Sequence, residues 1–202
     1  MTEKNDKRFL TTDRKIQDYF IDLLYKKSFN NITVTDIVKA ANISRGTFYL
    51  HYNDKYDLLE FIENTIMSEL KEVMNSPKIN PSNKPYSELV INKIEENFRY
   101  FKKKSKLLKA VIINNSNANF EYKFKRHIEQ IFRDKKSLPS ESDNIAGLHY
   151  SFIYISAAYF DVMKDWIKTG MKEEEKDMAK LFFYMTRTGP INVVKNIIDK
   201  NT

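Results

Sequence analysis

Apolar positions along the 202-residue chain recur three and four apart almost throughout, the period of helices buried on one face. Ile16, Phe20, Leu23 and Leu24 predict a first helix from about Thr12 or Asp13 to Lys27. Asp13 is placed to cap it, and Lys26 and Lys27 suit its last turn. Two short helices follow. Thr33 caps the second, with Asp36 three residues on and Ile37, Val38 and Ala41 inward. Ala40-Ala41-Asn42-Ile43 makes a turn, and Ser44 caps a third helix over Arg45–Tyr52. Asn53-Asp54 opens a long fourth one, with Leu58, Leu59, Ile62, Ile66, Leu70 and Val73 on one face.

The stretch from Asn75 to Pro85, with Pro77, Pro81 and Pro85, is the clearest break. Helical patterning then resumes over Tyr86–Lys103, Ser105–Asn114, Asn117–Asp134, Ser142–Thr169 and Lys172–Thr188, with a last segment at Ile191–Lys200. The fold class is therefore all-α. A three-helix unit over residues 1–57 is joined by a long helix to a C-terminal helical bundle over 58–202.

Two short capped helices on a tight turn make a helix-turn-helix, whose second helix fits a major groove about 12 Å wide. Each position there has something to offer DNA. Ser44 caps beside free amides, and Arg45 suits a guanine edge or a phosphate. Gly46 lets backbone approach closely, and Thr47 brings a hydroxyl and a methyl. Phe48 should point inward. Tyr49 and His51 carry polar tips, and Lys55, Thr33 and Thr35 sit at helix starts where phosphates bind. His51 has a plainer alternative, a hydrogen bond within the fold.

Composition narrows the function. With no cysteine, disulfides, thiol catalysis and Cys-ligated zinc are excluded. His51, His127 and His149 show no metal-ligand spacing, and no glycine-rich phosphate loop exists, so neither an enzyme nor a cofactor is expected. A polar N-terminus and the lack of an apolar run near roughly 18 residues point to a cytoplasmic protein without a membrane partner. The net charge of +7 suits a polyanion. It is not concentrated on the helix-turn-helix, because ten cations meet nine carboxylates over Met1–Glu60. Most of it lies later, around Arg99–Lys109 and Lys123–Lys136, and the run at Arg99–Lys109 is either a solvated helix end or a basic surface for DNA or an acidic partner.

Thr33, Val34, Asp36, Ile37, Ala41, Ile43, Ser44, Gly46, Thr47, Phe48, Tyr49, His51, Tyr52, Asp54, Lys55 and Leu58 carry a pattern that resembles the DNA-binding domain of the TetR/AcrR regulators. The resemblance implies that Arg45, Thr47 and Tyr49 face DNA while Tyr49, His51 and Lys55 grip phosphates. It also implies a homodimer on a palindromic operator, usually a repressor released by a small-molecule effector. Tyr154–Ala158, Trp166-Ile167 and Gly170-Met171 look similar to a Gram-positive subgroup, which implies an alternative: a co-activator working through a partner protein.

The C-terminal aromatics at helical spacing are expected first of all to be core. Should they enclose a ligand pocket, Phe101, Tyr122, Phe152 and Tyr159 are the candidates, for an apolar or aromatic effector. Ile145, Leu148, Phe152, Ile155, Tyr159, Val162 and Trp166 trace one stripe, and Met178, Leu181, Phe182 and Met185 another. Either stripe can serve the core or a partner helix. Two helices per subunit would build the dimer that the resemblance implies.

Overall fold

A computed structural model of the chain describes residues 2–75, 85–114, 118–133 and 145–189. The expected helix at Ile191–Lys200 and nearly all of the Asn75–Pro85 break lie outside them. Every regular element among the described residues is helical. In order they are α1 (Thr2–Lys26), a 3₁₀ turn (Phe29–Asn31), α2 (Val34–Ala40), α3 (Arg45–Tyr49) and α4 (Lys55–Asn75). Then come α5 (Tyr86–Lys103), α6 (Ser105–Leu108) running into a π turn (Lys109–Ile113), α7 (Ala118–Arg133), α8 (Ile145–Lys168) and α9 (Glu175–Thr188). None is long and apolar enough to cross a membrane.

The chain forms two compact units. One comprises Met1–Ser68 and Lys106–Phe120, the other Glu69–Ser105 and Glu121–Thr202. The boundary expected at 57/58 thus falls inside the first unit. The core of that unit is Ile16, Phe20 and Leu24 of α1, Ile37 of α2, Phe48 of α3 and Leu58 of α4, all with no exposed surface. The distant segment Lys106–Phe120 belongs here because α1 packs on the π turn, burying Ala110, Val111 and Ile112. Asn114 then donates from Nδ2 to the carbonyls of Tyr25 (3.0 Å) and Leu24 (3.3 Å). Those carbonyls lie in the last turn of α1, which has no intrahelical donors left.

Helix α1 starts about ten residues before the cap-based expectation. Asp13 is not its cap. The Asp13 carboxylate lies mid-helix, accepting from Tyr52 Oη at 2.6 Å and Gln17 Nε2 at 2.7 Å. Residues Thr2–Arg8 lack an apolar rhythm, so periodicity has no purchase there.

In the second unit α5 packs on α9 and α8. Phe98 meets Trp166 edge-on at 5.2 Å, and Tyr159 lies against Phe124 (5.9 Å) and Phe182 (4.4 Å). The expected aromatic core therefore forms from Phe98, Phe101, Phe152, Tyr159, Phe160 and Trp166, all buried. Tyr122 and Tyr154 stay outside it, at 63% and 57% exposure.

Candidate nucleic-acid interface

Helix α2 begins with a reciprocal cap. Thr33 Oγ1 accepts from the Asp36 amide at 3.1 Å, and Asp36 Oδ2 accepts from the Thr33 amide at 2.9 Å. The same carboxylate receives the Thr33 hydroxyl and the Lys27 ammonium (3.0 Å). The Thr33 amide, followed by Lys27, holds the Asp36 carboxyl down at about 2. Thr35, one residue into the helix, is half-buried.

The turn into α3 is made by Asn42 at φ +49°, a left-handed conformation that asparagine tolerates better than most residues. The Ile43 amide closes it on the Val38 carbonyl at 3.1 Å. Ser44 caps α3 as expected, its Oγ accepting from the Thr47 amide at 2.9 Å and lying 2.8 Å from Thr47 Oγ1. The first bond within the helix runs from the Phe48 amide to the Ser44 carbonyl. The Arg45 and Gly46 amides therefore precede any helical partner.

Phe48 anchors this short rod with no exposed surface. Tyr52, just past its end, is 4% exposed and ties it to α1 through Asp13 and Gln17. Burial and the Asp13 carboxylate push the Tyr52 phenol up, so it stays a hydrogen-bond donor. With the inner side fixed, the outer side is open. Ser44, Arg45 and Gly46 are exposed, Thr47 is half-buried, and Tyr49 and Leu50 are 52% and 76% exposed. No side-chain hydrogen bond or ion pair engages Arg45 among the described residues.

Gly46 gives the sharpest clue. A Cβ built there would meet only Ser44 Oγ, at 3.7 Å, an ordinary contact. No other atom of the described residues crowds this position, and glycine weakens helices.

Residues 88–188, half the chain, match the family model described as transcriptional regulator C-terminal region, and residues 21–62 match that of the bacterial regulatory proteins, tetR family. The chain belongs to the TetR family. It is accordingly a DNA-binding transcription regulator, in a family of regulators rather than enzymes. The HTH-type regulator YxbF of Bacillus subtilis is 41% identical over 56 residues, 27% of this chain. The dhaKLM operon activator DhaS of Lactococcus lactis is 33% identical over 66 residues, 33% of this chain. These matches span 15% and 35% of those relatives' own lengths. Among solved structures, a TetR regulator from Streptococcus agalactiae superposes with a TM-score of 0.64 at 18% identity, covering 92% of this chain and 99% of that one. The dihydroxyacetone kinase operon activator DhaS gives 0.57 at 22%, covering 89% and 96%.

Within this TetR-family fold, two expected phosphate contacts face inward. The Lys55 ammonium donates to the carbonyls of Ile32 (2.8 Å), Phe29 (3.0 Å) and Asn30 (3.3 Å), and lies over the Phe29 ring. An ammonium has three donors, so all are taken. Amides nearby are taken too, since Asp54 Oδ1 accepts from both Tyr56 and Asp57. Lys55 is thus a brace for the 3₁₀ turn. The His51 side chain is 3% exposed, its ring stacked on Phe9 at 3.9 Å and its Nδ1 3.5 Å from Asp13 Oδ1. The motif points neither to Phe9 nor to the Asp13–Gln17–Tyr52 network. An apolar residue at Phe9, one heptad before Ile16, is the available signal.

The basic segment Arg99–Lys109 is largely matched within the chain. Arg99 pairs with Glu95, Lys102 with Glu175, Lys104 with Glu69 and Lys106 with Asp22, while Lys109 lies over Tyr25. Of the pocket candidates, Phe101 and Tyr159 lie 6.3 Å apart and, like Phe152, are buried, whereas Tyr122 is exposed. Phe120, Phe124 and Ile128 form the buried face of α7, and Tyr122 lies about half a turn from it.

Proposed function

We propose that this TetR-family chain binds a palindromic operator as a homodimer, most often to repress, and leaves it when a small-molecule effector binds the C-terminal unit. The observation that carries the DNA contacts is α3 itself: pinned inside by Phe48, capped by Ser44, and open outside at Arg45, Gly46 and Tyr49. One such rod reads one half-site, so a two-fold mate is required for the other. Exposed apolar side chains on α8 and α9, among them Tyr150, Ile153, Tyr154, Leu181 and Tyr184, suit that mate.

An effector reading draws support from Asn97 Oδ1, a buried polar atom without a hydrogen-bond partner beside Tyr159. Such an atom asks for a ligand group or water. Helix α4 belongs to both units, so a shift along it would respace the two recognition helices and lower operator affinity.

Similarity to DhaS, an operon activator by name, favours a second reading, activation rather than repression. Selection of duplexes from a random pool, followed by polarisation titration, tests the first. Arg45→Ala should cost about 1–3 kcal/mol on the selected duplex and relax its sequence preference. A wild-type chain that prefers no sequence over random DNA at moderate salt overturns it.

A further inference from the structure

Several cations among the described residues have no ion-pair partner, and four of them lie together on α1. Lys7, Arg8, Arg14 and Lys15 of α1 are exposed or half-exposed, and none has a side-chain hydrogen bond or ion pair among the described residues. At 100° per residue all four fall within about 120° of one another on the helix. Ile16, Phe20 and Leu24 form the opposite, buried face. The only carboxylate between Lys7 and Lys15 is Asp13, and it turns away to Tyr52 and Gln17. Asp18 follows on the stripe's side one turn beyond Arg14, and no ion pair joins the two among the described residues. The result is a cationic stripe from Lys7 to Lys15 whose one intervening carboxylate, Asp13, is engaged on the opposite face.

The face of α1 opposite the stripe is tied twice to the end of the recognition helix. Phe9 stacks on His51 at 3.9 Å, with the rings 21° apart, and Asp13 accepts from Tyr52. His51 and Tyr52 directly follow α3 and its cap Leu50. The motif's histidine is covered by Phe9, which leaves the imidazole 3% exposed and withdrawn from a phosphate. We propose that the N-terminal half of α1 is a second DNA-binding element, in which Lys7, Arg8, Arg14 and Lys15 hold the phosphate backbone flanking the bases read by α3. This rests on the reading of α3 as the recognition helix. The occupant is duplex DNA, because the stripe offers charge without pockets or base-reading geometry beyond its two arginines. Such contacts add affinity and salt dependence and little sequence information.

The test uses the full chain, one duplex selected by it and one random duplex, with polarisation titrations across about 50–300 mM KCl. Removing one phosphate-binding cation flattens log K against log salt by about 0.9. Lys7→Gln with Arg8→Gln should therefore flatten the slope by roughly 2 per bound protomer, and adding Arg14→Gln and Lys15→Gln by roughly 4. Both duplexes should weaken alike, with the ratio between them held within about twofold and the melting curve unmoved. Phe9→Ala, which loosens the tie to His51, should weaken both duplexes as well. Unchanged slopes overturn the proposal, as does tighter binding by Phe9→Ala, which would make this end of α1 a shield over His51. The reading of α3 fails separately, if the wild type shows no preference for its selected duplex. A flattened slope on random DNA would still support the stripe in that case.

Discussion

Gly46→Ala should stabilise the protein and weaken its hold on DNA, two effects of opposite sign from one methyl. The fold side follows from local geometry. Gly46 has no left-handed φ, and the nearest atom to an added Cβ is Ser44 Oγ at 3.7 Å. Alanine therefore fits without strain, and it reduces the freedom of the unfolded chain. Such changes are worth about 0.4–1 kcal/mol. For a chain of this length that is a rise of about 1–4 °C in Tm. The DNA side follows from exposure. Gly46 lies in the first turn of α3, whose outer side is open, and a methyl forced into a packed contact costs about 1–3 kcal/mol. Affinity for the selected duplex should fall about 5- to 150-fold. Circular-dichroism melts and polarisation titrations read the two arms. A higher Tm with unaltered affinity would show that DNA does not approach the backbone here. A lower Tm would show that something in the chain itself requires this glycine.

Other perturbations separate bracing from contact. Phe48→Ala empties the core of the first unit and should cost about 3–5 kcal/mol, read as a lower midpoint in urea with DNA binding falling in parallel. Lys55→Met removes the donors to the carbonyls of Phe29, Asn30 and Ile32, and should cost about 1–3 kcal/mol of stability. It should leave the salt slope of DNA binding where it was; a slope about 0.9 flatter would make Lys55 a phosphate contact. The Asp36 carboxyl is held at about 2 against a usual 3.8. Its contribution is complete above the unfolded value and lost as pH falls from about 4 through 2. Asp36→Asn should flatten stability against pH in that window, and an unchanged acid limb would refute the cap. Asn42→Val forces a β-branched residue to φ +49° and should cost at least about 1–2 kcal/mol, whereas Asn42→Gly should be nearly neutral.

The parts of this molecule legible in its sequence are those governed by local chemistry. Caps depend on residues three apart, and Thr33, Asp36 and Ser44 behave as that rule requires. Burial follows periodicity, so Phe48 and the inward residues of α4 can be placed from pattern alone. The errors arise where a side chain's partner is far along the chain. Asp13 looks like a cap until Tyr52, 39 residues on, is known to donate to it. The segment Lys106–Phe120 joins the first unit through Asn114 and the π turn, about 90 residues from the α1 carbonyls it serves. Lys55 carries the same lesson for function. A lysine at a helix start invites a phosphate, but three carbonyls of the 3₁₀ turn reach it first.

That last displacement constrains where affinity for DNA can come from. If Lys55 and His51 are occupied internally, the motif keeps its base-reading face, Arg45 to Tyr49, but gives up two backbone grips. A five-residue helix whose only cation is Arg45 would be a poor electrostatic anchor, since nonspecific attraction scales with the number of phosphates neutralised. The unmatched cations on α1 are what the fold offers in exchange, and the stacking of Phe9 on His51 removes one grip while tying α1 to the end of α3. Specificity and anchoring then lie on different helices joined through Asp13, Gln17 and Tyr52. Tyr52→Phe, which deletes the hydroxyl but keeps the buried ring, isolates that joint. It should cost about 1 kcal/mol of stability and shift the salt slope toward that of the Lys7–Arg8 double variant. Sequence preference should survive, because Phe48 still holds α3. If preference falls while the slope stays fixed, anchoring and reading are not divided between these helices.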